Sequence, residues 1–169
     1  MKITYIHHSA FLVETESAYL LFDYFQGKLP EFSEEKPLYV FASHKHRDHF
    51  DMDVLHWTER YSNIHYIFSK DCRMSPHFLE KHGFDLSVRE LITYVSPCEK
   101  YQVDDLEIET LRSTDAGVAF YVKTNGASFY HAGDLNNWKW DGAGELVNGI
   151  MDVNYKNQIK KLAKKDINL

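Results

Sequence analysis

Cysteine is almost absent from this chain: two residues in 169, Cys72 and Cys98, with no C-x-x-C pair. That excludes a disulfide framework as the basis of the fold. The two thiols are expected to be buried or idle in a reducing cytoplasm. No apolar run approaches the length that crosses a bilayer. The opening residues, Met1-Lys2-Ile3-Thr4-Tyr5-Ile6-His7-His8, lack the long apolar segment of a secretory signal. Basic excess is missing too. Nineteen Lys and Arg against 25 Asp and Glu leave a net charge of −6, which argues against a general nucleic-acid binder. Internal repeats and low-complexity tracts are absent. What remains is an ordinary globular composition, 44% hydrophobic and 26% charged. The length suits one domain, residues 1–169, with a real core. Aromatics at 15% point to a stiff β core rich in Tyr and Phe.

The chemistry concentrates in Ser43-His44-Lys45-His46-Arg47-Asp48-His49-Phe50-Asp51. Neutral imidazole and carboxylate are ligands for first-row metals. The run before it, Leu38 to Ala42, is short, apolar and β-prone, so it reads as a buried strand. After it, Phe50, Val54, Trp57 and Tyr61 recur at helical spacing behind Asp51 and Asp53, which predicts a helix from Phe50 to Tyr61. The motif then occupies a strand-to-helix turn. If that turn is extended, His44, His46 and Asp48 share one side and His49 swings to another. Such an arrangement suits two adjacent metals, one on His44 and His46, the other on Asp48 and His49.

Around the motif the chain reads mostly as strand. Ile3 to Ile6, Phe11 to Glu14, Tyr19 to Asp23 and Asn63 to Phe68 are expected strands. Gly27 to Pro37, with two prolines and three glutamates, is expected as a surface loop that could flap over the site. Ser75-Pro76 opens a short helix that Gly83 stops. His56, His65, His77 and His82 are expected on the surface. Strands follow at Ile92 to Val95, Tyr101 to Val103 and Leu106 to Leu111. Val118 to Thr124 and Ala127 to Ala132 flank Asn125-Gly126, a hairpin signal. That hairpin delivers His131-Ala132-Gly133-Asp134, where a glycine before the acid lets the backbone turn and aims Asp134 off the sheet edge. Trp138 and Trp140 come next, as a pocket wall or as a patch covering the final helix. That helix is expected from Asp152 to Lys165, with Tyr155, Ile159 and Leu162-Ala163 as its apolar stripe. Ile167 to Leu169 reads as the start of a further strand.

Ser-His-x-His-x-Asp-His after a buried strand resembles the signature of the metallo-β-lactamase superfamily. The opening, strand, His-Ser turn, strand and then Leu20-Leu21-Phe22-Asp23, is similar to the branch that includes L-ascorbate-6-phosphate lactonase. The resemblance implies an α/β (α+β) fold, the four-layer αββα sandwich. It implies one or two divalent metal ions, Zn first, with Mn or Fe tolerated. It makes Asp134 the acid that bridges both metals, about 3.5–4 Å apart. It places His8 near the site and makes Asp23 the carboxylate that orients a ligand histidine, since a liganding His gives its other N–H to such a group.

Two family features are missing. The loop expected to carry a third histidine for the first metal reads Leu111-Arg112-Ser113-Thr114-Asp115-Ala116-Gly117, where Asp115 is the best substitute. A last histidine from a C-terminal segment is also missing, so the sandwich is expected to be C-terminally incomplete. An exposed sheet edge and helix face would follow, inviting self-association into a homo-oligomer. The reading is then a cytoplasmic metal-dependent hydrolase. Metal-activated water would attack an ester, lactone or phosphoester of a small molecule, and Asp48 would orient that water or shuttle its proton. A catalytically impaired binding or assembly module is the alternative. A nuclease fits least, because no basic stripe adjoins the motif.

Overall fold

The structure, a computed structural model, describes residues 1–168. It is a mixed α/β chain with two sheets. The backbone divides into two compact units, one over Met1–Val95 and one from Ser96 onward. Among the described residues no helix is long and apolar enough to cross a membrane.

The first unit is built on a six-stranded sheet in the order β1-β2-β3-β4-β5-β6. Its strands are β1 (Lys2–His7), β2 (Ala10–Glu14), β3 (Tyr19–Phe22), β4 (Leu38–Ala42), β5 (Ile64–Ser69) and β6 (Ile92–Val95). The first three pair antiparallel, and β3 to β6 pair parallel. β4 lies in the parallel region, and all five of its residues are buried. That burial explains why its sequence is a continuous apolar run rather than an alternating one. Leu12, Leu21, Val40, Tyr66 and Phe68 pack on one face with Val54, Leu55 and Leu79. Each such fully buried side chain contributes about 1.5–3 kcal/mol.

Three expectations for this unit need correction. The segment after the motif is a 3₁₀ helix, Met52–Glu59, shorter and tighter than the α-helix expected from Phe50 to Tyr61. Asp51 caps it through Asp53 N, and the adjacent pair Val54 and Leu55 is buried. Neighbouring buried residues suit three residues per turn better than a single α-helical stripe. Another 3₁₀ helix, Leu86–Leu91, precedes β6 where no helix was expected. The loop before β4 is not wholly a surface loop. Phe32 is buried in the core against Tyr19, ring centroids 5.1 Å apart. By contrast α1 (Pro76–Lys81) follows its sequence signals. Ser75 accepts from Phe78 N, Pro76 sits at the first position, and Gly83 lies just past the end at φ +82°.

The second unit holds an antiparallel four-stranded sheet ordered β10-β9-β8-β7. Its strands are β7 (Lys100–Val103), β8 (Leu106–Arg112), β9 (Val118–Thr124) and β10 (Ala127–His131). Asn125 and Gly126 both adopt positive φ, +47° and +78°, the requirement of the expected tight hairpin. A long helix, α2 (Gly144–Leu162), begins eight residues before the expected Asp152 and ends before Lys165. Gly144 and Gly149 are poor helix formers, and Ala143 caps without a side-chain bond, so no start signal marks it. Tyr155 and Leu162 pack on Leu111, Ala119, Tyr121 and Leu135, whereas Ala163 is exposed at the helix end. The earlier turns present Leu146, Val147, Ile150 and Val153 to solvent. Ile167 and Asn168 do not form a strand, although Asn168 N donates to Ser128 O at 3.1 Å; Leu169 lies outside the described residues.

Candidate metal centre

Strand register builds the core of the site. β3 and β4 run parallel with Phe22 opposite Phe41, so the residues just past their ends, Asp23 and Ser43, are neighbours. Asp23 N donates to Phe41 O at 2.9 Å. Asp23 itself takes φ +46°, a conformation that the short Asp side chain tolerates. The turn aims its carboxylate back over β4. There it accepts from Ser43 N at 2.7 Å, from Ser43 Oγ at 2.7 Å and from His49 Nδ1 at 2.8 Å. Ser43 Oγ also lies 2.9 Å from His44 Nδ1. Asp23, Ser43, His44 and His49 are all essentially removed from solvent.

The motif turn is not extended, which corrects the expected alternation. His49 N and Phe50 N both donate to His46 O at 3.0 Å. Within a turn that tight, side chains no longer alternate between two sides. His49 folds back against His44, with ring centroids 4.1 Å apart, and His46 lies 4.5 Å from His44. The turn is tethered on its outer side by Lys45 N donating to Asp71 Oδ2 at 3.3 Å.

His8 joins this group from the β1–β2 turn, where it holds φ +50°. Because β2 pairs antiparallel with β3, Phe11 opposite Phe22, that turn lies at the same end of the sheet as Asp23. His8 Nε2 is 3.3 Å from Asp48 Oδ2, and one ligand atom each from His8, Asp48 and His49 lie within 4.8 Å of one another. The sequence placed His8 only near the site. The structure puts it among the atoms able to hold an ion. Burial disfavours charge on Asp48, but its own backbone N–H together with His49, His8 and His44 outweighs that and holds its carboxyl below the usual range.

This donor set fits a divalent cation. It offers two imidazoles and a carboxylate in one place and two further imidazoles beside them, a mixture suited to zinc and its neighbours. His49 already spends Nδ1 on a carboxylate, the arrangement that leaves the other ring nitrogen to a metal. A cleft of about 650 Å³ opens beside Asp48, lined by Phe25, Gln26, Arg47, Phe50, Asp51 and Asp53. The second unit carries a comparable concavity of about 700 Å³ on its sheet, but lysines and glutamates line it and no histidine does.

The remaining sequence candidates belong to the second unit. Asp134 follows Gly133, which takes φ +51°, and precedes the buried Leu135, so its turn is anchored on both sides. Trp138 Nε1 donates to Asp134 O at 3.2 Å. Thr114 Oγ1 donates to Asn136 O at 2.6 Å and accepts from Asn136 N at 3.0 Å, tying the Ser113–Gly117 loop to the Asp134 turn. The role of the Thr114 hydroxyl here is structural. Asp115 is exposed, with its amide on Ser113 Oγ at 3.1 Å. Trp138 stacks on Trp140 at 5.8 Å. Their segment is held to α2 by Asn137 Nδ2 on Asp152 Oδ1 and by Trp140 N on Asn148 Oδ1.

A family model described as a β-lactamase superfamily domain matches residues 2–141, most of the chain. The chain belongs to the metallo-β-lactamase superfamily. A search of curated proteins finds no match. Among solved structures of the fold, the chain is similar to CmlA, a diiron β-hydroxylase from Streptomyces venezuelae, at 15% identity and a TM-score of 0.55. That match covers 81% of this chain and 30% of CmlA. Igni18, a metallo hydrolase from Ignicoccus hospitalis, matches at 21% identity and a TM-score of 0.52, over 78% of this chain and 59% of Igni18. MEM-A1, a subclass B3 metallo-β-lactamase from a soil metagenome library, matches at 16% identity and a TM-score of 0.50. There the match covers 95% of this chain and 70% of MEM-A1. The chain thus spans less than two thirds of CmlA and of Igni18, and the superfamily fold it shares with them hosts both hydrolases and a hydroxylase.

Proposed function

We propose that this chain is a metal-dependent hydrolase that cleaves an ester, lactone or phosphoester bond in a small molecule. The observation that carries the proposal is the clustering of His8, Asp48 and His49 against His44 and His46, with His49 held by the buried Asp23. In this reading His44 and His46 would hold one cation and Asp48 and His49, with His8 beside them, would hold the other, and the family resemblance adds Asp134 as a further ligand. Asp115 is the nearest substitute for the third histidine of the first site. Zinc suits so imidazole-rich a set best, with manganese or iron as substitutes. When bound, such a metal lowers the pKa of its water to about 7 and polarises the bond under attack.

The chain's own groups do the rest. Asp48 is the exposed acid of the cluster and would orient the attacking water or shuttle its proton. His44, His46 and His49 hold their rings fixed through packing against one another. Arg47 is the one cation among the residues lining the cleft and would hold an anionic substituent of the substrate, while Phe25 and Phe50 supply apolar wall. The His8 and Asp23 pattern supports a place in the lactonase-like branch. Hydrolysis of a panel of simple esters, lactones and phosphodiesters with added Zn²⁺ or Mn²⁺ tests the proposal. Turnover that disappears in His49→Ala supports it, and turnover with no metal requirement contradicts it.

One feature favours the second reading, a binding or assembly module with an impaired site. The Ser113–Gly117 loop supplies no imidazole, and its one acid, Asp115, is exposed. Metal binding without hydrolysis of any panel member would favour that alternative.

A further inference from the structure

The geometry points to Ser43 as a positioning residue that relays the field of Asp23 to His44 and sets which ring nitrogen of His44 carries the proton. Ser43 Oγ has one hydrogen and two lone pairs. It lies 2.7 Å from Asp23 Oδ2 and 2.9 Å from His44 Nδ1. The carboxylate can only accept, so the hydroxyl proton must point to Asp23. The opposite polarity would set hydroxyl lone pairs against carboxylate lone pairs at 2.7 Å, in a place where all three residues are 0% exposed and water cannot intervene. Having spent its proton, Ser43 Oγ can only accept from His44. Nδ1 of His44 therefore bears the hydrogen, and the ring's lone pair is on Nε2.

Asp23 reaches His49 directly, through Nδ1 at 2.8 Å, and so assigns it the same tautomer. One carboxylate thus orients two ring systems 4.1 Å apart, one by contact and one through a hydroxyl. The backbone makes the relay rigid, because Ser43 N also donates to Asp23 Oδ1 at 2.7 Å. Serine's place immediately before the first histidine is then a requirement of the site and not a property of the turn. The tautomer follows from the metal-free geometry alone. Its consequence for metal affinity rests on the hydrolase reading above.

The test uses the full chain, metal-free and labelled with ¹⁵N, at about pH 8, where an ordinary imidazole is neutral. Long-range ¹H–¹⁵N correlations report the tautomer of each ring, and the His44 signals are assigned by their loss in His44→Gln. In the unsubstituted chain His44 is expected to show a protonated Nδ1 and an unprotonated Nε2. In Ser43→Ala it should become a mixture of tautomers, while His49 keeps its pattern. In Ser43→Thr, which retains the hydroxyl, the original pattern should return. Zinc affinity, read by competition with a chromophoric chelator, should fall about 10–100-fold in Ser43→Ala and recover in Ser43→Thr. A protonated Nε2 on His44 in the unsubstituted chain overturns the relay. So does a Ser43→Ala variant whose tautomer is unchanged. If the unsubstituted chain takes up no zinc, the hydrolase reading fails, and the ring signature still decides the relay by itself.

Discussion

Asp23 Oδ2 and His49 Nδ1 meet at 2.8 Å with both side chains out of solvent. Parallel pairing of β3 with β4 brings Asp23 to the motif, and the turn at His46 brings His49 back to Asp23. The contact therefore reports on the sheet and on the site together.

Removing that carboxylate should damage both. Asp23→Ala leaves His49 and Ser43 without their shared acceptor inside the protein, and each buried donor left unsatisfied costs about 1–3 kcal/mol. Urea denaturation of the metal-free chain measures this. A variant as stable as the parent would show that the pair contributes nothing to the fold.

Tyr66 is the next support of the site. Its hydroxyl is buried and donates to Val54 O at 2.8 Å, linking β5 to the 3₁₀ helix that follows the metal motif. Burial pushes that phenol well above its usual range. Tyr66→Phe should cost about 1 kcal/mol, the usual net value of such a bond, with Val54 O losing its partner. Thermal denaturation checks it, and an unchanged or raised midpoint would contradict it.

The second unit offers a pH-dependent contact far in sequence from the metal motif. Lys165 Nζ lies 2.6 Å from Glu109 Oε2, and Lys100 Nζ lies 3.6 Å from the same oxygen. Burial pushes the Glu109 carboxyl up, but the Lys165 hydrogen bond and the two lysine charges outweigh it and hold it below its ordinary value. A depressed folded value means stability that is present above the unfolded pKa of about 4.3 and lost as pH falls through the folded one. Glu109→Gln should therefore be less stable by up to about 1 kcal/mol at pH 7. The difference from the parent should shrink below about pH 4. A constant difference across that range would refute the account.

The exposed apolar turns of α2 should behave unlike its packed ones. Leu146 is 77% exposed, so Leu146→Glu should change stability by no more than about 0.5 kcal/mol. Leu111 is buried under Tyr155 and Leu162, so Leu111→Ala should cost about 2–5 kcal/mol. Chemical denaturation of the two variants side by side distinguishes the environments.

Much of this was legible in the residues because local rules and tertiary packing agreed. The continuous apolar run of β4, the Asn125-Gly126 turn and the Ser75-Pro76 cap each stand where their chemistry puts them. The metal motif was legible because few other uses explain three imidazoles and an acid at that spacing. Other features depend on contacts distant in sequence. His8 reaches Asp48 only because β2 folds back along β3. Ser43 looked like a flanking residue until the register set it against Asp23. His49 was expected to swing away, and the bonds to His46 O return it to His44. The length of α2 escaped notice because its first turns carry two glycines and an apolar face that nothing in the described residues buries.

The central claim is that imidazoles and acids from separate stretches of the chain together hold divalent metal. Zinc content per chain, measured on protein purified without chelator, tests it most directly alongside His46→Ala and Asp134→Ala. The account predicts near-stoichiometric or higher zinc in the parent and a clear loss in each variant. A parent free of metal, or an Asp134→Ala variant that retains the full complement, would contradict it.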